Sequence, residues 1–499
     1  MNHFNFPQPG RPSIQPGSLG IQPCISSDFL TSTLDRRQWL ARAGGGMGLL
    51  ALAGLMDEDR LLADEPPQAS SGTPDPLHPL RLRPGHFPAK AKSIIWLFME
   101  GGPSAVDMFD PKPELTKRDG EKTSIKAFFG NPGPLMKSPF QFQQYGECGQ
   151  PVCELYSNVA QHVDKMAFIK SCHSESNDHV PAIYQINSGI ARPGFPTAGA
   201  WITYGLGSEN QDLPGYIVLG NTKGAKGGPH NWGAGFLPAA YQGTLFRSAG
   251  SPILNLRRLP NLTDQDQRAQ LDLLAQLNDH HLQRHPSESE LIARIQSYEL
   301  AYRMQSKATE VVDIQRESSS TLKLYGIDNP ATESYGKKCL MARRLVESGV
   351  RFVQVYSDGE WDAHSKLTEN HAGHCLATDV PIAGLLNDLE QRGLLETTLV
   401  IWGGEFGRMP MSQNGDGRDH NPNGFLQWMA GAGIRGGVSY GETDEIGYAA
   451  VTDRVSINDL HATMLHLIGI DHKRLTYFHN GRNYRLTDVA GQVIQKILA

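Results

Sequence analysis

The chain has few cysteines and no Cys-x-x-Cys pair, so a zinc-knuckle reading has no support. It has no excess of basic charge: 46 Lys and Arg stand against 52 Asp and Glu, a net charge of −6. That balance leaves no electrostatic footprint for nucleic acid, which is excluded as an expected partner. Beyond residue 56 no stretch is apolar for long enough to span a bilayer, and no internal repeat is visible. Cys24 lies near the N-terminus, leaving Cys148, Cys153, Cys172, Cys339 and Cys375, an odd set. Cys148 and Cys153 could pair in an oxidising compartment, although spacing alone does not decide it.

What is present first is an address. Asp35-Arg36-Arg37-Gln38-Trp39-Leu40 precedes a Gly/Ala-rich apolar run over 43–56. Paired arginines before a short apolar region point to twin-arginine export, with the twin-arginine translocase as a transient partner and a periplasmic or extracellular destination. Residues 1–63 are expected to be a long leader plus this signal. Cleavage after Ala63 would place Leu61 at the −3 position, a poor small-residue site, so an uncleaved anchor stays open. Pro-rich residues 64–90 read as a linker.

Residues 91–499 alternate between strand-like and helix-like patterns. Ser93-Ile-Ile-Trp-Leu-Phe-Met99, Val350-Arg-Phe-Val-Gln-Val355, Thr398-Leu-Val-Ile-Trp402 and Gly424-Phe-Leu-Gln-Trp-Met-Ala430 are continuous apolar runs, expected to be buried strands. Ser456 is a candidate N-cap for a helix over 456–468, and Pro381 should start or kink a helix ending near Arg392-Gly393. Residues rich in Leu, Gln, Glu and Arg over about 263–345 read as a helical insertion, with Ser287 and Glu290 as a capping box after Pro286. The alternation implies an α/β fold: a mostly parallel central sheet with helices on both faces.

Polar clusters lie just past several of these runs. Asp358, Glu360, Asp362 and His364 crowd into the loop after Val355; Glu100-Gly101-Gly102 comes after Met99; Gly404-Glu405-Phe406-Gly407-Arg408 comes after Trp402; Asp419-His420 precedes Gly424. In a parallel sheet such strand ends share one edge, where ligands bind, and carboxylates with imidazoles are metal ligands by type. Ser171-Cys-His-Ser-Glu-Ser-Asn-Asp-His179 adds hydroxyls; a hydroxyl beside a divalent cation can ionise and attack an electrophile. Read blandly, these are a solvated loop and a capped turn. Lys223-Gly-Ala-Lys-Gly-Gly228 lacks the Gly-Lys-Ser/Thr ending of a phosphate-cradling loop.

Taken together, the order of these clusters resembles the alkaline-phosphatase-like superfamily. The Gly101-Gly-Pro-Ser-x-x-Asp107-x-Phe-Asp110 run, Trp361-Asp-x-His364, Gly404-Glu-Phe-Gly-Arg408 and Asp419-His-Asn-Pro422 resemble more closely the exported, sulfatase-like bacterial proteins of domain-of-unknown-function family 1501. The resemblance implies a metal-dependent hydrolase of phosphate or sulfate esters, acting on a small-molecule or carbohydrate ester. It implies Glu100, Asp362, His364, Glu405 and His420 as metal ligands, and Ser174 or Ser176 with His179 and Arg408 as catalytic residues. The cofactor would be divalent: zinc or iron if histidines dominate, calcium, magnesium or manganese if oxygens do. Two departures stand out. Phe406 occupies a position where the superfamily has a ligand histidine, and Asp362-x-His364 is shorter than its Asp-x-x-x-His, with Asp358 or Glu360 as substitutes. A single metal, or one tight and one loose site, therefore competes with a two-metal centre. The Cys/Ser-x-Pro/Ala-x-Arg run of formylglycine sulfatases is missing. The alternative is a non-catalytic member that keeps the fold as a metal-binding or structural protein.

Overall fold

The computed structural model describes residues 78–499 except 131, 221–224, 248–252, 254–255, 257, 259–260 and 285–288. The leader, the arginine pair, Cys24, Ser287 and the first part of the 64–90 segment lie outside the described residues.

Nine strands build the main sheet: β1 Ser93–Phe98, β2 Met166–His173, β3 Tyr216–Gly220, β4 Thr244–Arg247, β5 Phe352–Tyr356, β6 Thr398–Gly403, β7 Phe425–Gly431, β8 Val438–Tyr440 and β9 Val455–Ser456. Their order is β8-β2-β7-β6-β1-β5-β3-β4, with β9 also on β2. Every pairing is parallel except the two made by β7, which runs antiparallel to both β6 and β2. The sheet is thus mostly parallel, as expected.

Seven longer helices accompany it: α1 His179–Ser188, α2 Ala198–Leu206, α3 Asp264–Arg284, α4 Ser289–Val312, α5 Glu333–Glu347, α6 Leu367–Gln391 and α7 Ile457–Leu467. β1 shows why its strand is apolar throughout. Ile95, Leu97 and Met99 pack into one core with α5 and α6, while Ile94, Trp96 and Phe98 pack into the other with α1, α2 and α7. A strand buried on both faces has no polar side to show.

Several boundaries differ from the sequence reading. α5 is a core helix, so the insertion ends before it and consists of α3 and α4 with their flanks. Pro381 lies inside α6. Residues 78–90 are tied down rather than free: the Arg83 guanidinium donates to the carbonyls of Thr203 and Tyr204 at the end of α2, and the backbone N–H of Lys90 donates to Leu467 O. Cys148 and Cys153 are both free thiols. Ser456 caps α7 as expected, in a full capping box with Asp459.

The direction of β7 matters most for the site. β1, β2, β5 and β6 end at one sheet edge. Because β7 runs the other way, its start lies at that edge too, and Asp419-His420 just before it joins the loops at the ends of the other four.

Candidate metal centre

Asp362 is the hub. Backbone bonds from Trp361 N to Glu100 O (2.8 Å) and from Arg418 N to Ala363 O (2.9 Å) hold its loop. Trp361 and Ala363 are buried, at 0 % and 1 % exposure, while Asp362 and His364 between and beyond them are only half-buried. This alternation answers the short Asp-x-His spacing. In such a segment, residues two apart share a side, so both side chains reach the same centre.

A two-residue antiparallel pairing of Gly407–Arg408 with His420–Asn421 sets Arg408 opposite His420. Both reach Asp362. Its Oδ1 lies 2.8 Å from Arg408 Nη2, 3.1 Å from His364 Nε2 and 3.2 Å from His420 Nε2; its Oδ2 lies 2.9 Å from His179 Nε2. One ligand-type atom from each of His179, Asp362, His364 and His420 falls within 4.8 Å of the others, the only such group found among the described residues.

The opposite side of each imidazole is already committed. His179 Nδ1 lies 2.7 Å from Glu405 Oε1, His364 Nδ1 lies 2.5 Å from Gln413 Oε1, and His420 Nδ1 lies 2.6 Å from Asn177 O. A backbone carbonyl only accepts, so His420 Nδ1 donates. Gln413 Nε2 donates to Phe129 O, which turns its Oε1 toward His364. Glu405 already accepts from Gly101 N at 3.0 and 3.1 Å. All three rings therefore carry their proton on Nδ1 when neutral, with Nε2 lone pairs aimed inward at a carboxylate. Outer acceptors of this kind are what orient metal-bound histidines.

Lone pairs facing a carboxylate repel unless a cation lies between them. His179 Nε2 is buried without a directed hydrogen bond although Asp362 is 2.9 Å away. Burial opposes charge on His179, but its contacts with Asp362 and Glu405 prevail and raise its pKa to about 9. Burial would raise the Asp362 carboxyl, yet His179, His364, His420 and Arg408 hold it far below the usual carboxylate range. A proton relieves the repulsion here; a divalent cation fits the same donor set of three imidazoles and one carboxylate.

The expected site residues fall into distinct places. Asp362, His364 and His420 come together as anticipated. His179, expected as a catalytic residue, joins them. Glu405, expected as a ligand, stands one bond behind His179 with no exposure. Glu100 is turned away to accept from Lys226 N at 2.6 Å; burial pushes its carboxyl up to about 7. Asp358 binds Lys338 Nζ at 2.8 Å, and Glu360 binds Lys226 Nζ at 2.9 Å. Arg408, expected to face substrate, has no side-chain exposure, and its donors go to Gly101 O, Gly102 O, Arg418 O and Asp362. Ser174 and Ser176 turn their hydroxyls to carbonyls of their own loop, Ser176 O at 3.5 Å and Asp178 O at 3.3 Å. Phe406 packs its ring 4.9 Å from His179 and 4.4 Å from His420, so that carbon rather than a nitrogen donor fills this position, as the sequence implies.

Lys226 is the residue that sequence reasoning passed over. Its Nζ lies 3.4 Å from Asp362 Oδ2, and its side chain is a quarter exposed. Its loop lacked a phosphate-loop signature, and only the fold shows its partner. Gly101 closes the arrangement: at φ +108, a Cβ there would fall 2.6 Å from Trp361 N and 2.7 Å from Asp362 N, so only glycine lets the two loops meet.

A family model described as "Protein of unknown function (DUF1501)" matches residues 91–498. The chain belongs to that family. Solved structures similar to this DUF1501 protein include Ps i-CgsB, 11% identical over 77% of this chain and 72% of that one, at a TM-score of 0.35. They also include the alkaline phosphatase of the Antarctic bacterium TAB5 (10%; 72% and 96%; TM-score 0.31) and the PsFucS1 sulfatase from Pseudoalteromonas sp. (13%; 79% and 73%; TM-score 0.32). No curated protein matches the chain.

Proposed function

We propose that this DUF1501 protein is a metal-dependent hydrolase of phosphate or sulfate esters that works after export. The observation that carries the reading is the convergence of three Nε2 lone pairs on Asp362 with every Nδ1 already held from behind. Three nitrogens and one carboxylate favour zinc or iron over calcium, magnesium and manganese, which prefer oxygen. A divalent cation in this place supplies Lewis acidity to an ester oxygen. His179, His364, His420 and Asp362 would hold it, and Arg408 fixes the angle of Asp362. Lys226 offers the accessible positive charge beside the centre for an anionic ester oxygen. Ser174 and Ser176 are the candidate nucleophiles on the loop that carries Asn177.

A second reading, a metal-binding protein without catalysis, draws support from those two serines, whose hydroxyls are engaged within their own loop. Elemental analysis of the purified protein, with a screen of aryl phosphate mono- and diesters and aryl sulfates, separates the readings. The hydrolase reading expects about one metal per chain and turnover lost in Asp362→Ala and Lys226→Ala. Bound metal without turnover of any ester supports the second reading. Metal-free protein whose melting temperature no divalent ion raises sinks both.

Export is proposed on the sequence alone, from Arg36-Arg37 and the apolar run after them. Among the described residues, no helix is long and apolar enough to cross a membrane.

A further inference from the structure

The centre is closed on most sides. The side chains of His420 and His179 are 4 % and 11 % exposed, whereas that of His364 is 31 % exposed. A substrate therefore arrives past His364, and an aromatic ring stands there. Phe129 sets its ring nearly perpendicular to those of His364 and His420, with centroids 6.4 and 5.4 Å away. The residue is nevertheless 43 % exposed.

An exposed phenylalanine gains little from its position, yet buried polar groups hold this one. The Asp419 carboxylate accepts from Phe128 N at 2.5 Å and Phe129 N at 2.8 Å, and Gln413 Nε2 donates to Phe129 O at 2.5 Å. Asp419 and Gln413 are 1 % and 2 % exposed. Gln413 is also the acceptor behind His364. One side chain thus sets the angle of a ligand-type histidine and the place of the ring beside it. The exposed part of that ring is apolar and flat. It complements the C–H face of a pyranose or the face of an aryl group, while Glu360 and Lys226, at 53 % and 26 % side-chain exposure, supply polar partners near Asp362.

We propose that Phe129 is a specificity platform for the alcohol half of the ester, so that the substrate class is esters of ring-bearing alcohols. This rests on the ester-hydrolase reading and narrows it.

The test is equilibrium binding by calorimetry, using the protein in the metal form that metal titration selects. The probes are methylphosphonate, phenylphosphonate, glucose 6-phosphate and inorganic phosphate. The wild type is expected to bind one of the ring-bearing probes roughly 3–10-fold more tightly than methylphosphonate. Whichever ring is preferred tells sugar from aryl. Phe129→Ala should abolish that ratio while methylphosphonate still binds, and Phe129→Tyr should keep it. The ratio distinguishes a platform from a structural prop, because a loosened centre would weaken all the probes alike. Equal binding of ring-bearing and methyl probes by the wild type, or an unchanged ratio in Phe129→Ala, overturns the platform and leaves the ester reading standing. Failure of all four probes, and of phenyl sulfate titrated alongside them, to bind overturns the ester reading, and the platform with it.

Discussion

Glu405 accepts the Nδ1 proton of His179 at 2.7 Å and so turns the Nε2 of that ring toward Asp362. The carboxylate acts on the centre through an imidazole rather than by contact. Glu405→Gln keeps the shape and can still accept from Gly101 N, but it removes the charge that raises the basicity of His179. Metal affinity should fall roughly 10–100-fold with the fold intact. Competitive titration with a chromogenic chelator measures it, and wild-type affinity in the variant would remove Glu405 from the centre's outer ring.

Asp107 and Arg418 form a two-pronged ion pair, 2.7 and 3.0 Å, with neither side chain exposed. It clamps the glycine-rich turn after β1 to the segment that delivers His420. Burial would raise the Asp107 carboxyl, but Arg418 and Ser104 keep it below its ordinary value. Asp107→Asn or Arg418→Met alone should cost about 3–5 kcal/mol by leaving a buried charge unpaired. The double variant Asp107→Leu with Arg418→Met should recover much of that loss. Urea unfolding of the metal-free proteins checks both. Additive losses would show that the two side chains do not act as a pair.

Two histidines away from the centre predict acid lability. Burial lowers His461 to about 4 and His371 to about 3. His461 bonds Ile186 O at 2.9 Å, and His371 Nε2 accepts from Ser104 N at 3.1 Å. Each is neutral in the fold and titrates near 6.5 when unfolded. Below that value the unfolded chain binds more protons, so stability is full above about pH 6.5 and is lost as pH falls toward 4 and then 3. His461 alone accounts for on the order of 3 kcal/mol. Unfolding free energy of the chelated protein between pH 4 and 7 should show a shallower slope in His461→Gln. An identical slope would exclude His461 as a source.

Replacing both Arg36 and Arg37 by Lys should leave the precursor in the cytoplasm, because the export route reads the guanidinium pair. Fractionation with a tagged chain checks it. Unchanged export of the variant would exclude the twin-arginine assignment.

The strand ends were legible because strands buried on both faces are continuous apolar runs, and the loops that leave parallel strands gather at one edge. That reasoning reached Asp362, His364 and His420. His179 reads as catalytic because the resemblance groups it with Ser174 and Ser176 on one loop, which ends at Asp178, the cap of α1. The resemblance gives Arg408 a catalytic role, but its pairing against His420 leaves it buried. Lys226 was discounted because its importance lies in a through-space contact with Asp362, which no local pattern encodes. The direction of β7 was also hidden, since composition does not distinguish a strand running up from one running down.

That reversed strand has a consequence for assembly. β2 joins the central strands only through β7, and β2 leads into His179. Asp362 belongs to the other side of this seam. During synthesis the ribosome delivers β7 after every strand it must bridge, so His179 and Asp362 are held in register only when that late strand has inserted. A cation bound between His179 and Asp362 would act as a latch across that seam, joining by coordination two halves of the sheet that otherwise meet only through one strand.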